Sequence, residues 1–369
     1  MKTINTVQRI PFNVSSAALF AFIFLPHLVY ASAPQYSVLD LGTLGGTRSF
    51  GYAVNASGQV AGYSYIEYNT AWHAVRWTGT TPQDLGIVGG PGDSFSINAS
   101  GQIAGRVSGN AIRWTGTTEE ILDSLGGSQS RATSINDAGQ VTGFSLLAGD
   151  TPQHAVRWTG TAATDLGGGN QSGGMGINAS GQIAGFVNGA FAARWTGTTA
   201  QGLSPLPTGN GAGAGYGIND SGQVAGYSLY RWTDGDNNFH QHAVVWNGTT
   251  PSDLGTLGGP DSVAYAINGL GDVVGDSGAT AFLYTGGTMY NLFSLLVPGS
   301  GVTGVSFGDG NGFYGNAIND LGQIAATANY GGVAHAVLLT PTPEPTSAVL
   351  LLGVATGLLA HRRRSPASV

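Results

Sequence analysis

The chain has 369 residues, of which 62 are glycine, 15 are proline and none is cysteine. Glycine without a Gly-X-Y period excludes collagen, and the lack of cysteine excludes disulfide scaffolds, cysteine-ligated zinc sites and thiol catalysis. The formal net charge is −7, and the body between Arg9 and Arg362 has eight arginines against all 20 acidic residues. Such a body has no basic surface for phosphate groups, so a nucleic-acid-binding function is excluded.

Residues 1–33 have the order of charge and hydropathy that is typical of a secretory signal peptide. Lys2 and Arg9 precede an apolar stretch over 17–29, and Ala31 and Ala33 supply the small residues that signal peptidase requires. We predict export of the protein, with cleavage after Ala33. An uncleaved anchor helix is the alternative interpretation.

The body is built from one sequence unit that occurs seven times. Its centre is Asn-x-x-Gly followed by Gln or Asp and then Ile or Val, with an average spacing of 44 residues. Repeats of this length are typical of propellers and solenoids. The seven asparagines are Asn55, Asn98, Asn136, Asn178, Asn219, Asn268 and Asn319.

Each unit predicts four short strands. The first ends at the asparagine turn, and the second contains Gln-Val-Ala-Gly, as over 59–62. The third contains His-Ala-Val-Arg-Trp-Thr-Gly, as over 73–79, and the fourth ends in Asp-Leu-Gly, as over 84–86. No segment of the body has a convincing 3.6-residue apolar period. The predicted fold class is therefore all-β, a seven-bladed β-propeller of about 44-residue repeats.

The phase of the two ends of the body predicts a closed ring. The body opens with a fourth strand over 36–42 that lacks its first three, and it ends with a third strand over 335–340 that lacks a fourth. If these strands pair, the N-terminal strand completes the last blade and leaves no unpaired edge. A solenoid would need capping repeats at both ends instead. We therefore assign residues 34–340 to the propeller.

The repeat unit resembles that of the HAF family of extracellular repeats, which is named for a His-Ala-Phe triplet beside Leu-Gly-Thr-Leu-Gly-Gly and Ile-Asn-x-x-Gly-Gln. The glycine motif is complete over 41–46 and 254–259, and the resemblance covers about 300 residues. It implies an extracytoplasmic location and no established reaction. Valine replaces the phenylalanine of the triplet at Val75, Val156, Val244 and Val337.

Residues 341–369 form a tail with three parts in order: a proline-rich linker, an apolar run over 346–360 and an arginine cluster. This order resembles a PEP-CTERM sorting signal, which implies an exosortase-type processing enzyme as a partner. A 15-residue helix spans roughly 22 Å, less than the roughly 30 Å of a hydrocarbon core, so we predict transient inner-membrane anchoring. An ordinary C-terminal anchor is the alternative. The motif residues are Pro343, Glu344, Pro345, Arg362, Arg363 and Arg364.

Several residues of types that often bind metals or ligands are assigned structural roles. Equivalent histidines on different blades cannot converge on one ion, so we predict no metal site and no cofactor, and we assign the histidines to anchoring long loops. The Arg-Trp pairs are assigned to packing between blades, with each arginine stacked or paired with a fourth-strand aspartate. The histidines are His73, His154, His242 and His335, and the pairs begin at Arg76, Arg113, Arg157 and Arg194.

Two further motifs match known sites only in part. The stretch from Gly304 to Gly308 has the Gly-x-Ser-x-Gly pattern of hydrolase nucleophiles, but no predicted helix follows it. Asp234 and Asp236 supply oxygen ligands that suit calcium, but the segment lacks the glycine and glutamate of an EF-hand loop. We interpret the first motif as a chance match and the second as a solvated turn.

The connections between second and third strands are predicted to emerge on one face of the ring. Aromatic side chains in such exposed loops could stack on sugar rings, because variable loops on a rigid scaffold commonly bind ligands. The alternative is that these side chains fold back over their blades. The candidate ligand-binding residues are Tyr65, Tyr68, Trp72, Tyr230, Trp232 and Phe239.

These observations predict a secreted binding module of the cell surface or matrix, without enzymatic activity, whose ligand is exopolysaccharide. One alternative is a polysaccharide lyase or glycosidase on the loop face. It would draw its acids from Glu67, Asp150, Asp234 and Asp236, although nothing in their spacing pairs them. The other alternative is a purely structural matrix protein.

Overall fold

The structure, a computed structural model, describes residues 33–87, 96–207, 209–231, 238–308 and 316–343. These residues form seven four-stranded antiparallel sheets, arranged as the blades of a β-propeller. The described part of the chain has no α-helix, and its two short 3-10 helices are Glu67–Asn69 and Leu292–Leu295. The predicted seven-bladed all-β fold is confirmed.

The first four blades follow the chain without interruption. Blade 1 comprises β2 (Gly45–Val54), β3 (Val60–Ile66), β4 (Trp72–Thr78) and β5 (Thr81–Ile87). Blade 2 comprises β6 (Ser96–Ile97), β7 (Ile103–Val107), β8 (Asn110–Thr115) and β9 (Thr118–Ile121). Blade 3 comprises β10 (Gly126–Ile135), β11 (Val141–Leu147), β12 (Gln153–Thr159) and β13 (Ala162–Asp165). Blade 4 comprises β14 (Gly173–Ile177), β15 (Ile183–Val187), β16 (Phe191–Thr196) and β17 (Thr199–Gly202).

The last blade takes its outer strand from the other end of the chain. Blade 5 comprises β18 (Gly213–Ile218), β19 (Val224–Arg231), β20 (Phe239–Asn247) and β21 (Thr250–Gly255). Blade 6 comprises β22 (Ser262–Ile267), β23 (Val273–Ser277), β24 (Thr280–Thr285) and β25 (Thr288–Asn291). Blade 7 comprises β26 (Gly304–Ser306), β27 (Ile324–Tyr330), β28 (Val333–Pro341) and β1 (Tyr36–Asp40). β1 pairs antiparallel with β28, so the predicted ring closure is confirmed.

The ring has two distinct faces, which follow from the up-and-down course of each blade. We call the side with the turns between first and second strands the Asn face, because each of these turns begins with a repeat asparagine. We call the opposite side the loop face; it has the variable connections between second and third strands, such as residues 67–71 of blade 1.

The glycine of the second strand is required by a bulge in the first. In blade 5 the register shifts between Gly215 and Gly217, so Tyr216 is an extra residue in the inner strand. The bulge moves the Ala214 carbonyl oxygen to 2.0 Å from the position that a Cβ on Gly226 would occupy. Because no Cβ tolerates such an approach, only glycine fits there. The same relationship recurs in blades 1, 3, 4 and 6.

The core lies between adjacent blades, where the third-strand tryptophans of blades 1 to 5 are buried. Trp158 of blade 3 packs against Ala104 and Ala111 of blade 2. Its indole Nε1 donates to the carbonyl of Asp123, at 2.7 Å, in the connection that leaves blade 2. A buried indole needs such an acceptor, and this one binds neighbouring blades together. Equivalent bonds run from Trp114 to Leu85, from Trp195 to Leu166 and from Trp246 to Ser204.

Candidate functional site

A closed ring of hydrogen bonds surrounds the channel mouth on the Asn face. The side-chain amide of Asn55 donates to the backbone carbonyl of Asn98 at 3.0 Å, and the same bond joins every repeat asparagine to the next one around the ring. The Asn319 amide returns to the Asn55 carbonyl at 2.9 Å. The seven side chains are buried, with exposures of 2% to 7%.

Each repeat asparagine also holds its own turn. In blade 1, the Asn55 Oδ1 accepts the backbone N–H groups of Ser57 and Gln59, at 3.1 and 2.9 Å. The amide nitrogen donates to Gln59 Oε1 at 2.9 Å, and Gly58 completes the turn with a φ of 73°. The asparagine therefore uses both donors and its acceptor, which explains why it stands at this position of all seven units.

A cavity of about 330 Å³ lies at this mouth, below the asparagine ring. Its wall contains the isoleucine or valine that precedes each asparagine, and its rim contains Asp137, Asp220 and Asp320. Each of these carboxylates accepts a backbone N–H from the preceding turn, as Asp220 does from Ala179 at 2.9 Å. Their hydrogen bonds give the three aspartates a role in joining blades.

Four His–Asp pairs recur in alternate blades. The Nδ1 of His242 lies 2.9 Å from Asp253 Oδ2, and Asp253 Oδ1 accepts the backbone N–H of Gly255 at 2.8 Å. Burial raises the pKa of Asp253, but the His242 hydrogen bond, the Gly255 amide and the His242 charge outweigh it, so this pKa lies below its ordinary value. The other pairs are His73–Asp84, His154–Asp165 and His335–Asp40.

These pairs correct one prediction. The fourth-strand aspartate is held by the histidine, so it is not the partner of the Arg-Trp arginine. In blade 1, whose aspartate is Asp84, Arg76 donates to Gln83 Oε1 in its own blade and to the Gly101 carbonyl at 2.7 Å in the next. The arginine lies one residue before the tryptophan, and the histidine lies three residues before the arginine. The histidine and arginine side chains therefore point to opposite faces of the third strand. The inter-blade role predicted for the Arg-Trp pairs is confirmed.

Two aromatic pairs on the loop side fold back over their blades. Tyr65 and Trp72 pack edge to face with ring centroids 5.4 Å apart, and both contact the apolar core. Tyr230 stacks on His242 at 4.6 Å with an interplanar angle of 20°. Phe239 is 43% exposed at the start of β20. Trp232, Asp234 and Asp236 lie outside the described residues.

Tyr68 differs from these residues because its side chain is 85% exposed. Its φ of 61° lies in the left-handed region, as does the φ of 55° at Asn69. Two hydrogen bonds pin this turn to β2: Thr47 N–H donates to Asn69 Oδ1 at 2.9 Å, and the Asn69 amide donates to Thr47 Oγ1 at 3.0 Å. The scaffold thus presents one tyrosine ring to solvent in a fixed turn. Of the five candidate aromatics that the structure describes, three belong to blade 1 and two to blade 5, so the structure does not gather them into one cluster.

A half-buried carboxyl that the sequence analysis did not single out lies in blade 6. Tyr265 Oη donates to Asp276 Oδ2 at 3.1 Å, and burial, partly offset by this hydrogen bond, raises the pKa of Asp276 to about 6. The Tyr265 ring lies 6.2 Å from that of Tyr216 in blade 5 and 6.1 Å from that of Phe307 in blade 7. Asp276 replaces an aromatic residue, since Tyr227 and Tyr63 occupy its position in blades 5 and 1. This aspartate at a position that is aromatic in other repeats was the sequence signal that could have identified the carboxyl.

The remaining motifs do not form a site in the described residues. Ser306 is in β26, opposite Thr327, and not on a strand-to-helix turn. No group of three or more His, Asp or Glu side chains is placed to hold a metal ion within the described ranges. Asp150 accepts from the backbone and hydroxyl of Ser128, at 2.6 and 3.0 Å, and so closes its own loop.

The two predicted processing segments lie at the limits of the described chain. Ala33 is exposed and is separated from β1 by two residues, and Pro343 is exposed and is separated from β28 by one. Ala31, Glu344, Pro345 and Arg362 to Arg364 lie outside the described residues. A helix long and apolar enough to cross a bilayer does not occur in the part of the chain that the structure describes.

Comparisons with known proteins support the fold alone. No family model matches the sequence, and no curated protein matches it. The chain is similar to the extracellular domain of a protein assigned as a one component system, from B. thetaiotaomicron, with a TM-score of 0.52 and 9% identity over 83% of this chain and 40% of that one. It is also similar to the β-propeller domain of the Trilobed protease from Pyrococcus furiosus, with a TM-score of 0.49 and 8% identity over 79% of this chain and 93% of that one.

Proposed function

We propose that this protein is an exported, non-enzymatic binding module of the cell surface or matrix, and that its loop face binds polysaccharide. The presentation of Tyr68 is the observation that carries the proposal. A tyrosine in the left-handed region costs about 1–2 kcal/mol, and its exposed ring gains no packing in return. Strain that is held by surrounding hydrogen bonds is characteristic of functional positions.

The chemistry around Tyr68 suits a sugar. The faces of a tyrosine ring are electron-rich, and the C–H groups on one side of a pyranose ring carry partial positive charge, so the two stack. Glu67 is exposed beside it and can accept sugar hydroxyl groups. Asn69 holds the turn through Thr47, so little order must be gained on binding.

Calorimetric titration of residues 34–343, which contain all seven blades, tests this proposal. The probes are a neutral β-glucan and the acidic polysaccharide xanthan. We expect saturable heat with at least one probe, loss of that heat in Tyr68→Ala, and retention in Tyr68→Phe, which keeps the ring. Ile121→Ala removes an exposed apolar side chain in blade 2 and should not change binding. Absence of heat with both probes, or full binding by Tyr68→Ala, would overturn the proposal.

One observation favours the alternative of a polysaccharide-active enzyme. A carboxyl whose pKa is raised to about 6 is a suitable general acid near neutral pH, and Asp276 has this property. Glycosidases and lyases need a second acid or base in reach of the first, and the partner of Asp276 in the structure is Tyr265. Release of reducing ends or unsaturated sugars from xanthan by the parent protein, but not by Asp276→Asn, would replace the binding module with an enzyme.

Export and sorting form the second part of the proposal. Cleavage after Ala33 would leave β1 whole, and processing beyond Pro343 would leave β28 whole, so both predicted events spare the closed ring. Expression of the full chain in a Gram-negative host, followed by intact-mass measurement of the exported protein, tests both. A mass that begins at Pro34 is expected. A mass that retains residue 1 would contradict the signal peptide.

A further inference from the structure

Both ends of the propeller emerge at the Asn face. Tyr36 at the start of β1 is opposite Pro341 at the end of β28, and the Thr342 N–H donates to the Gln35 carbonyl at 2.8 Å. Leu339 is opposite Ile324, which directly follows the Asn319 turn, so β28 ends beside that turn. The described chain therefore leaves blade 7 on the side of the asparagine ring.

The predicted apolar run begins very close to this exit. Pro343 is the last described residue, and the run starts at residue 346, three residues later. Three residues span at most about 11 Å when fully extended. If the run enters a membrane, the Asn face at blade 7 must lie within about that distance of the lipid surface, since the linker is too short to turn the propeller over.

The same edge of the Asn face has two exposed leucines. Leu270 of blade 6 and Leu321 of blade 7 are 75% and 66% exposed. Their turns are adjacent, because the Gly269 N–H donates to Asp320 Oδ1 at 2.6 Å. Serine or alanine occupies this position in the other five turns, at Ser57, Ser100, Ala138, Ser180 and Ser221.

We infer that the blade 6–7 edge of the Asn face docks on a zwitterionic lipid surface while the tail is anchored, with Leu270 and Leu321 in the headgroup region and the loop face directed away from the membrane. This inference rests on the membrane anchoring predicted from the apolar run over 346–360. Two leucines add only a modest apolar area, so the tether supplies the proximity and the leucines set the orientation. Anionic lipid is disfavoured because Asp137, Asp220 and Asp320 lie on the rim of the same face.

The lack of cysteine makes the test direct. Single-cysteine variants of residues 34–369 at Leu321, Leu270 and Ala148, the last on the loop face, are labelled with bimane and reconstituted in phosphatidylcholine vesicles with brominated chains. We expect severalfold stronger quenching at 321 and 270 than at 148. Ser57→Cys, the equivalent turn position in blade 1, keeps both leucines and should show intermediate quenching.

Flotation of the vesicles distinguishes anchoring by the tail from docking through the two leucines. A chain that floats but is quenched equally at 321 and 148 overturns the docking surface and leaves the anchoring intact. A chain that does not float overturns both. A label at 321 whose emission is already blue-shifted without vesicles would mean that the tail itself covers the leucines, and this result also overturns lipid docking. Polysaccharide titration of residues 34–343 does not depend on any of these outcomes.

Discussion

The side-chain amide of Asn319 donates to the backbone carbonyl of Asn55 at 2.9 Å, across 264 positions of the sequence. This bond joins the last asparagine turn to the first, and it completes the ring that begins with the 3.0 Å bond from Asn55 to Asn98. Blade 7 is thus closed twice, by the β1–β28 pairing on its outer side and by asparagine at the channel. The ends of the propeller are held without a disulfide.

Asn319→Ala should lower the stability of the whole ring. The substitution removes the bond to Asn55 and the bonds that hold the Asn319 turn, at a buried position. Buried hydrogen bonds contribute about 1 kcal/mol each, so we expect a loss of about 2–4 kcal/mol. Urea unfolding of residues 34–343, followed by tryptophan fluorescence, measures it. Ser57→Ala, at an exposed turn position, is the control and should change the midpoint little.

Gly226→Ala should be strongly destabilising although it adds a single methyl group. The Cβ would lie 2.0 Å from the Ala214 carbonyl oxygen and 2.9 Å from the Gly215 Cα, both backbone atoms of the inner strand. The bulge in β18 must therefore shift, at a cost of roughly 1–3 kcal/mol or more. Gly202→Ala, where no atom lies within 4 Å, is the matched control. Equal thermal midpoints for the two variants would contradict the role of the bulge.

Asp253→Asn should reduce stability in a pH-dependent way. The pKa of Asp253 is lower in the folded protein than its ordinary value. Its contribution to stability is therefore present above the pKa of the unfolded chain, and it is lost as the pH falls through the folded pKa. Urea midpoints at pH 7 and pH 3 should show a clear loss at pH 7 and a smaller one at pH 3. Glu119→Gln, at an exposed strand position, should show no such trend.

Asp276→Asn should have the opposite pH dependence. Burial raises the folded pKa of Asp276 to about 6, so the folded state binds this proton more tightly than the unfolded chain does. The stability of the parent protein should therefore fall as the pH rises from about 4 to about 6. Asparagine can still accept from Tyr265 and carries no charge. The variant should be more stable at pH 7.5 by about 1–3 kcal/mol and similar at pH 4. A parent midpoint that does not change over this range would contradict the raised pKa.

The architecture was predictable because its determinants are local and repeated. The turn at Asn55 is specified within five residues, and seven copies of the same turn imply seven similar units. The incomplete units at the two ends also predicted the β1–β28 pairing. The asparagine ring was not predictable in the same way, because its bonds join residues of different units, which are 38 to 51 positions apart in six bonds and 264 positions apart in the closing bond.

The candidate site was predicted less well than the fold. Aromatic residues in loops are visible in the sequence, but their exposure depends on what lies beneath them. Tyr65 packs against Trp72, and Tyr230 stacks on His242. Tyr68 instead points outward, because its backbone is left-handed and Asn69 holds that turn in place. Similarly, the fourth-strand aspartates were expected to pair with arginine, but the strand register places a valine opposite each of them. The histidine two residues before that valine lies on the same face and holds the aspartate instead.

The sequence by itself determined the blade number, the strand order and the phase of the ring, because turns, period and strand length are encoded within each unit. Only the tertiary structure decided which side chains join the blades, which aromatic ring remains exposed and which carboxyl is half-buried. These properties depend on distances between units. The closure of the ring sets those distances, and no single repeat contains them.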